Sequence, residues 1–423
     1  MNYPYELPKN WVWVKLGDIV SNHGQKKPDK EFTYIELSSV DNKKNKIAEF
    51  NVLQPNNAPS SARKIVHRGD VLYGTVRTYL HNICMIESDI TPEPLASAAF
   101  SVMSTGNTVS NKYLFFFLLS PDFDTYSNEN STGTMYPSIK EKKLLQALIP
   151  LAPLPEQQRI VKRLESLFSK LDEARQKVQF ALDGFDRRRA AILHRAFTGE
   201  LTRNFRAENH IIDKWRNVKL EDIGQVTGGG TPSTLNHEYW DGGDISWVTP
   251  ADMRSLKSKY ISRGAKNITA KGLQSSSARI MPKGSIVFSS RAPIGYVAIA
   301  ANDLCTSQGC KSLVPFETAL PEYIYFALLY RNNDIKEMGH GTTFKEISGK
   351  IFGSVVIPLP PLEEQREIAR ILDSLLTKEQ QAKQLAQSVI RKVDTLKKSI
   401  LARAFRGQLG TNNPHDEPSV GLL

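Results

Sequence analysis

Arginine and hydroxyl side chains follow two β-rich runs of this 423-residue chain. Arg77 comes shortly after a run that ends at Tyr73, and Ser289, Ser290 and Arg291 follow a run that ends at Phe288. An arginine at a strand end can donate two hydrogen bonds to guanine O6 and N7, or can hold a phosphate. The alternative is an ordinary surface ion pair. The two loops are therefore candidates for contact with a polyanion.

Further candidates lie in polar, glycine-containing loops. The segment 227–233 resembles a phosphate loop but lacks the residue order of a nucleotide-binding P-loop, so a backbone contact and a plain turn both stay open. Loops 134–136 and 342–345 occupy equivalent places and differ in residue type, as two modules reading different sequences would. The candidate contact residues in these loops and around residue 308 are Thr134, Met135, Tyr136, Gly229, Thr231, Gln308, Lys311, Thr342, Thr343 and Lys345.

The charge and motif content favour a binding role over a catalytic one. A formal net charge of +11 indicates a polyanionic partner, most commonly nucleic acid, although an inert basic surface is the alternative. The chain has no G-x-S-x-G, HExxH, P-loop or methyltransferase Asn/Asp-Pro-Pro-aromatic motif, and no acidic cluster followed by lysine that indicates a nuclease. We therefore predict no catalytic residues.

The cysteine content and the hydropathy limit the cellular compartments in which the protein is expected. Three cysteines are too few for a disulfide framework and lack a second ligand pair for zinc, which predicts no metal site and a reducing cytoplasm. We find no signal-peptide pattern and no apolar run of roughly 18 residues, so no membrane association is expected.

The elements that must position these loops form an internal repeat. The segment 149–157, IPLAPLPEQ, reappears at 357–365 as IPLPPLEEQ, and the segment 192–201, ILHRAFTGEL, reappears at 400–409 as ILARAFRGQL. Both pairs are 208 residues apart, so no residue has been gained or lost between the two landmarks. The rest of each half repeats more loosely. The chain therefore consists of two copies of one unit.

Each copy ends in a long amphipathic helix. Apolar residues recur at alternating spacings of four and three, which is typical of a heptad seam between paired helices. Only Glu379 breaks the pattern in the second helix. Because each helix leaves one module and arrives at the other, we expect the two helices to run antiparallel. The seam residues are Ile160, Leu164, Leu167, Leu171, Val178, Phe185, Ile368, Leu372, Leu375, Val389, Val393 and Leu396.

The predicted fold class is α/β (α+β), with two similar globular domains separated by a pair of antiparallel coiled-coil helices and related by a pseudo-two-fold repeat. The expected domains are 1–150 (recognition domain 1), 151–204 (spacer helix 1), 205–358 (recognition domain 2) and 359–410 (spacer helix 2). The polar segment 411–423 is expected to be a flexible tail near the first domain.

The paired PLPEQ/PLEEQ and AFxGxL segments, with GGGTPS…YWDGGDISWVTPADM in the second half, resemble the specificity subunit of type I restriction-modification systems. The resemblance covers nearly the whole chain. It implies that each globular module reads one half of a bipartite, asymmetric site on double-stranded DNA. It also implies that the helices set the half-site spacing and dock two methyltransferase (M) subunits.

The resemblance places the chemistry on partner subunits. S-adenosylmethionine, ATP and Mg²⁺ are expected on the methyltransferase and the restriction/motor (R) subunits, and none on this chain. Two alternatives stay open, namely an orphan DNA-binding specificity subunit without active partners and a coiled-coil protein adaptor. A steep fall in affinity with salt would favour DNA over the adaptor.

Overall fold

The computed structural model describes residues 4–291, 293–340 and 345–422. The chain divides into two compact units. Unit 1 comprises Met1–Phe180 together with Gln387–Leu423, and unit 2 comprises Ala181–Ala386. Unit 1 is therefore discontinuous in sequence, because the end of the second long helix belongs to it. The sequence predicts this return, because each long helix is expected to leave one module and arrive at the other.

Unit 1 is built on two four-stranded sheets, with strand orders β2-β11-β8-β9 and β6-β3-β10-β7, and on the separate pairs β1-β12 and β4-β5. Its strands are β1 (Val12–Lys15), β2 (Val20–Ser21), β3 (Phe32–Ile35), β4 (Val40–Asp41), β5 (Lys46–Ile47), β6 (Asn51–Leu53), β7 (Ala62–Ile65), β8 (Val71–Gly74), β9 (Ile83–Met85), β10 (Pro94–Ser97), β11 (Phe100–Thr105) and β12 (Leu148–Leu151). Its helices are α1 (Leu16–Ile19), α2 (Asn111–Leu118), α3 (Pro121–Asn130), α4 (Glu141–Leu144) and α5 (Leu154–Asp183), which continues into unit 2.

Unit 2 has a five-stranded sheet, β14-β21-β18-β19-β16, a three-stranded sheet, β17-β15-β20, and the pair β13-β22. Its strands are β13 (Arg216–Lys219), β14 (Gly224–Gly228), β15 (Ile245–Val248), β16 (Tyr260–Ile261), β17 (Lys266–Ile268), β18 (Ile286–Ser289), β19 (Val297–Ala300), β20 (Cys305–Thr306), β21 (Cys310–Pro315) and β22 (Val356–Leu359). Its helices are α6 (Phe185–Phe197), α7 (Arg203–Glu208), α8 (Leu220–Ile223), α9 (Pro250–Arg254), α10 (Ala270–Gln274), α11 (Pro321–Tyr330), α12 (Asn332–Glu337), α13 (Gly349–Gly353) and α14 (Leu362–Phe405), which continues into unit 1.

The two units share a framework, as the repeat predicts. The antiparallel pair β1-β12 corresponds to β13-β22, and the run β11-β8-β9 corresponds to β21-β18-β19. Each unit also contains an equivalent parallel pair, β3-β10 and β15-β20. The loosely repeated segments 112–119 and 322–329 fall on α2 and α11, and the buried aromatic and aliphatic side chains of these helices lie in the core of each unit.

The first long helix is not continuous. The sequence predicts one helix from Pro155 to just before Gly199, whereas the structure has α5 and α6 with a turn at Gly184 between them. Glycine has a weak intrinsic preference for helix interiors, which accounts for a break at this position. The second long helix, α14, runs without interruption from Leu362 to Phe405.

Within each unit the two long helical segments run antiparallel. In unit 1, Asp172 pairs with Lys397 at 2.6 Å and the next turn of α5 pairs Arg175 with Asp394. In unit 2, Asp186 pairs with Lys383 at 3.3 Å and Arg188 with Glu379 at 3.2 Å. In both units, residue numbers that increase along one helix pair with residue numbers that decrease along the other. The predicted antiparallel direction is thus present in each unit, whereas knobs-into-holes packing stays a prediction.

The seam residues differ widely in burial. Four of them, Ile160, Leu164, Ile368 and Leu372, are fully buried, but in the cores of their units near the helix starts. Phe185 and Val393 are also buried. Leu167, Leu171, Val178, Leu375 and Val389 are half-buried. Leu396 is 49% exposed, so the structure does not place it in an apolar seam. The departure at Glu379 is compensated by its ion pair with Arg188.

A fully buried glutamine anchors the start of each long helix. Gln157 accepts a hydrogen bond from the Ser110 backbone N–H at 2.9 Å and donates to the carbonyls of Thr108 at 3.2 Å and Ala152 at 2.8 Å. Gln365 forms the same three bonds in unit 2, with the backbone of Leu320, Thr318 and Pro360. The repeated Glu-Gln of the sequence motif therefore ties each long helix to the loop before α2 or α11.

The neighbouring glutamate of each motif is also buried. Glu156 accepts a 2.8 Å bond from the indole N–H of Trp11, and Glu364 accepts a 2.9 Å bond from that of Trp215. A buried carboxylate needs further donors, because an unpaired charge in the interior is costly. In both units these donors come from the segment that follows the other long helix: Thr411 and Asn412 for unit 1, Thr202 and Arg206 for unit 2.

The phenylalanine of each AFxGxL motif packs against an aromatic ring in the same part of its unit as the buried glutamate and glutamine. Phe405 lies with its ring centroid 5.0 Å from Tyr113 in unit 1, and Phe197 lies 5.4 Å from Tyr323 in unit 2. Burial raises the pKa of both tyrosine hydroxyls well above the ordinary value, so each stays protonated and donates to a backbone carbonyl of β12 or β22. We call each set of Trp, Glu, Gln, Tyr and Phe the joint of its unit.

The C-terminal segment is not a free tail in the structure. Besides the contacts of Asn412 with Glu156, Arg159 forms an ion pair with Asp416, and Ser419 donates to the carbonyl of Asn10 at 3.0 Å. The expectation of flexibility rested on polar composition. The correction has a physical reason, since these polar side chains supply donors to a buried carboxylate. The segment does belong to unit 1, as expected.

Replacing Gln157 with alanine should lower the free energy of unfolding of unit 1 by roughly 2–4 kcal/mol. The substitution leaves one backbone N–H and two carbonyls unpaired in the interior and creates a small cavity. The adjacent Gln158 is exposed, so Gln158→Ala is the matched control and should change little. Urea unfolding followed by tryptophan fluorescence measures both. Equal midpoints for the two variants would contradict the anchoring role of Gln157.

Candidate nucleic-acid interface

In unit 2, four polar residues lie together, three of them in loops and one in strand β21, and Glu346 is at their centre. Its carboxylate lies 3.5 Å from Arg291 and 3.4 Å from Lys311, and Lys311 also donates to the carbonyl of Gln308 at 3.4 Å. Arg291 and Glu346 are adjacent in an isolated antiparallel bridge. We call Arg291, Gln308, Lys311 and Glu346 the Glu346 cluster. The structure thus brings Arg291 together with Gln308 and Lys311, which the sequence proposed as a separate loop.

The Glu346 cluster carries one more positive than negative charge and is partly open to solvent. Arg291 is 38% exposed, Glu346 39% and Lys311 14%. Lys345, exposed beside Glu346, adds a further cation. Ion pairs at 3.4–3.5 Å in partly exposed settings are weak, so both cations can exchange Glu346 for another anion. Sequence reasoning missed Glu346, because an isolated glutamate before a helix gives no signal without the bridge to Arg291.

The neighbouring serines are not surface groups. Ser289 and Ser290 are fully buried. The Ser289 hydroxyl accepts from the backbone N–H of Tyr296 at 2.7 Å, and that of Ser290 donates to the carbonyl of Gly309 at 3.0 Å. Their hydroxyls hold the strand end in shape and do not face a ligand. The sequence proposed both for DNA contact, and the structure corrects this.

The counterpart of Arg291 in unit 1 is Val76, not Arg77. Val76 bridges Ser138 as Arg291 bridges Glu346, and the backbone bond from Ile139 to Thr75 matches the bond from Ile347 to Ser290. Arg77 lies one residue further on, in a left-handed conformation with φ of 53°. The repeat gives the same correspondence, since Val76 and Arg291 are 215 residues apart, as are Tyr73 and Phe288.

In unit 1 the candidate residues share one exposed loop surface. The guanidinium of Arg77 lies over the ring of Tyr136, 4.5 Å from its centroid, and the Arg77 backbone N–H donates to the carbonyl of Pro137 at 2.7 Å. Tyr136 is 56% exposed and Met135 79%. Thr134 is exposed beside them. We call Arg77, Thr134, Met135 and Tyr136 the Tyr136 surface. Its aromatic and cationic groups suit stacking on bases or on sugar-phosphate backbone.

The glycine-rich segment of unit 2 is a packing element. A Cβ on Gly229 would lie 2.0 Å from the carbonyl oxygen of Ser307, and one on Gly230 would lie 2.1 Å from the backbone nitrogen of Ala278. Such close backbone approach admits only glycine. Thr231 beside them is half-buried. Close backbone packing therefore explains why glycine occupies these two positions, without any role in phosphate binding. Two further candidates, Thr342 and Thr343, lie outside the described residues.

The fold and the two loop surfaces define a two-module repeat protein in which each module presents polar and cationic loops on a shared framework. The sequence model of the type I restriction modification DNA specificity domain matches residues 8–179 and again 212–389. The chain therefore belongs to the type I restriction-modification specificity family. Among the described residues, no helix combines the length and the apolar character needed to cross a membrane.

Individual relatives agree with the family. The type I restriction enzyme MjaIX specificity subunit of Methanocaldococcus jannaschii is 43% identical over 180 residues, which are 41% of this chain and 41% of that subunit. The chain thus spans about two fifths of that relative's length in the alignment.

Two solved structures resemble the whole chain. One comes from a study of complex assembly and conformational transition of the type I R-M system; it has a TM-score of 0.81 at 27% identity and covers 96% of this chain and 100% of that one. The other is the HsdS subunit from Thermoanaerobacter tengcongensis, with a TM-score of 0.69 at 27% identity, covering 96% of this chain and 99% of that one. The mixed α/β fold is therefore shared with solved specificity subunits.

Gly230→Ala should destabilise unit 2 by about 1–3 kcal/mol or more, because the new methyl group overlaps backbone that cannot move aside. Gly228→Ala is the matched control, since a Cβ there meets nothing within 4 Å. Thermal unfolding monitored by circular dichroism compares the two. If Gly230→Ala melts like the control and loses only DNA affinity, the segment is a ligand loop instead.

Proposed function

We propose that this chain acts as the DNA-reading subunit of a type I restriction-modification complex, with each unit reading one half of a bipartite, asymmetric site. The observation that carries the proposal is the double match of the specificity domain, once in each unit. The Glu346 cluster and the Tyr136 surface support it. They are built on equivalent strand ends and differ in residue type, so the two units would read different sequences.

The chain is a non-catalytic member of the complex. Methyl transfer and DNA cleavage belong to two methyltransferase subunits and to restriction/motor subunits, which carry S-adenosylmethionine, ATP and Mg²⁺. The long helices provide the docking surface for the methyltransferase subunits and fix the spacing between the half-sites. The complex works on double-stranded DNA in the cytoplasm.

In unit 2, the Glu346 cluster reads the half-site by exchanging partners. Glu346 holds Arg291 and Lys311 in place while no DNA is present, which limits the conformational entropy lost on binding. When DNA enters, Arg291 turns its two donors to a guanine edge, and Lys311 moves toward a phosphate. Gln308 and Lys345 contact the same segment of DNA. The proposal also includes Thr231, Thr342 and Thr343 as contacts to the DNA on either side of that segment.

In unit 1, the Tyr136 surface makes a different kind of contact. Arg77 is stacked on Tyr136 rather than paired with a carboxylate, so the ring and the guanidinium present flat faces. Tyr136 and Met135 contribute apolar contact with a thymine methyl group or with sugar, and Thr134 offers a hydroxyl donor. The two half-sites are therefore read by different chemistry on the same framework.

Arg291→Ala should weaken binding by about 1–3 kcal/mol and relax the preference at one position of one half-site, as expected for loss of a bidentate base contact. Lys311→Ala should instead lower the slope of log affinity against log salt by about one. Lys283→Ala is the matched control. It is an exposed cation at the opposite end of the same strand, β18, and should change neither quantity.

Fluorescence anisotropy with duplexes that differ at single positions, at several salt concentrations, separates these effects. Equal losses for all three variants would mean that only general positive charge matters, and the assignment of the Glu346 cluster would fail.

The division of labour is tested by replacing residues 215–359 with the corresponding part of another family member. Mapping methylated adenines in cells that also contain the methyltransferase subunits should show one half-site changed and the other retained. Loss of the parental half-site as well would contradict independent reading by the two units. If methylation continues but the modified sequence does not change at all, unit 2 does not read DNA.

A further inference from the structure

Unit 1 contains a group of metal-ligand side chains that the DNA-reading role does not use. His23 follows β2, and His67 and Asp70 lie in the turn between β7 and β8. One ligand atom from each residue lies within 4.8 Å of the others. Within residues 4–291, 293–340 and 345–422, this is the one cluster of three or more histidine, cysteine or acidic ligands with this spacing. We infer that His23, His67 and Asp70 bind a divalent transition metal ion, with Zn²⁺ as the preferred occupant.

The distances between the ligand atoms of His23, His67 and Asp70 allow all three residues to bind one metal ion. Ligand atoms bound tetrahedrally to zinc at about 2.1 Å lie roughly 3.4 Å from one another. The His23 Nε2 atom and the Asp70 Oδ1 atom are already 3.1 Å apart. The rings of His23 and His67 meet edge to face with centroids 4.1 Å apart. His67 is exposed at the surface of its turn, so its side chain can move the remaining distance without disturbing the core. A water molecule would complete the fourth position.

The carboxylate is held ready by its surroundings. Asp70 is 2% exposed, and its second oxygen accepts a 2.7 Å hydrogen bond from the backbone N–H of His67. A ligand oriented in this way by a second hydrogen bond is typical of protein metal sites. The two adjacent imidazoles bind a metal in their neutral form, in which both can direct a lone pair to the same point. One carboxylate and two imidazoles are hard and borderline ligands that suit zinc.

The repeat supplies an internal comparison. In unit 2 the equivalent turn contains Pro282, Gly284 and Ser285 in place of His67, Gly69 and Asp70, and has the same backbone. Gly69 and Gly284 have φ of 95° and 89°. Both turns form the same pair of backbone bonds, at 2.8–2.9 Å, with the residue at the end of β9 or β19, namely Ile86 or Ala300. The turn therefore forms without any metal ligand. The two ligands in this turn, His67 and Asp70, are an addition that the fold does not require.

The cysteines do not compete for the ion. All three are buried, and burial raises the pKa of Cys84 and of Cys310 to about 12 and that of Cys305 to about 11. A thiol that stays protonated near neutral pH is a poor zinc ligand, because the thiolate is the binding form. Zinc added to the intact chain should therefore go to the histidine-aspartate group.

The test uses the full chain without DNA, stripped with a chelator, and adds ZnCl₂ in a calorimetric titration and in a thermal melt. We expect one bound ion per chain and a rise in the melting temperature that grows with zinc concentration. His67→Gln should lower the affinity at least about tenfold, since even loss of an outer-shell partner costs about 10–100-fold. In chelator it should melt like the parent, because its backbone bond to Asp70 remains.

His81→Gln is the matched control. His81 lies 3.6 Å from Asp124 and so forms a histidine-carboxylate pair, which has no third ligand within the same spacing in the described part of the chain. This variant should keep full zinc affinity. Titration of Co²⁺ into the parent should give visible absorption bands of a four-coordinate site, and His67→Gln should lose them. Zinc binding that is absent, or that is equal in the parent and in His67→Gln, would overturn the inference. The outcome does not depend on whether the chain reads DNA.

Discussion

The burial of a glutamate-glutamine pair at the start of each long helix is the constraint on which the rest of the structure depends. The glutamine binds the loop before α2 or α11, and the glutamate binds the tryptophan that immediately precedes the first strand of that unit. Both side chains are nearly inaccessible to solvent. A buried, fully bonded polar group permits one arrangement, since any other leaves donors or a charge unpaired. The direction in which each long helix leaves its unit is fixed in this way.

The Glu346 cluster and the Tyr136 surface can differ between the units because the joints do not involve them. The Glu346 cluster and the Tyr136 surface lie after β18 and β8, whereas the joints lie at β13-β22 and β1-β12. The same framework therefore presents a carboxylate-bound arginine in one unit and an arginine stacked on tyrosine in the other. Family membership follows from the framework. Under the proposed function, the identity of the DNA sequence that is read depends on the loops.

The sequence predicted the architecture well because repetition is independent of local propensity. Two segments at one fixed offset established the two units, the long helices and their antiparallel direction. The reason for that fixed offset was only partly predicted. The motifs were interpreted as the limits of a spacer, whereas Glu156, Gln157 and Phe405 are also buried parts of unit 1. A glutamate in a polar motif gives no sign of burial until its partner, Trp11, is known.

The candidate site was less predictable, and for a different reason. Ser289 and Ser290 are small enough to be buried with their own hydrogen bonds, and no periodicity distinguishes them from surface hydroxyls. Arg77 follows a strand as Arg291 does, but the backbone bridges give Val76 the place in unit 1 that Arg291 has in unit 2. The C-terminal segment was misjudged because asparagine and threonine are typical of disordered tails, although here they complete the shell of Glu156.

The discontinuity of unit 1 has a consequence for the order in which the protein is made. Unit 2 consists of one continuous stretch, Ala181–Ala386, whereas unit 1 includes Gln387–Leu423. The core of unit 1 contains Leu401, Ala404 and Phe405 from that last stretch. On the ribosome, where domains fold as they emerge, the second unit can therefore complete its core while the first still waits for its final helix. The part of the protein that is synthesised first is the last to be finished.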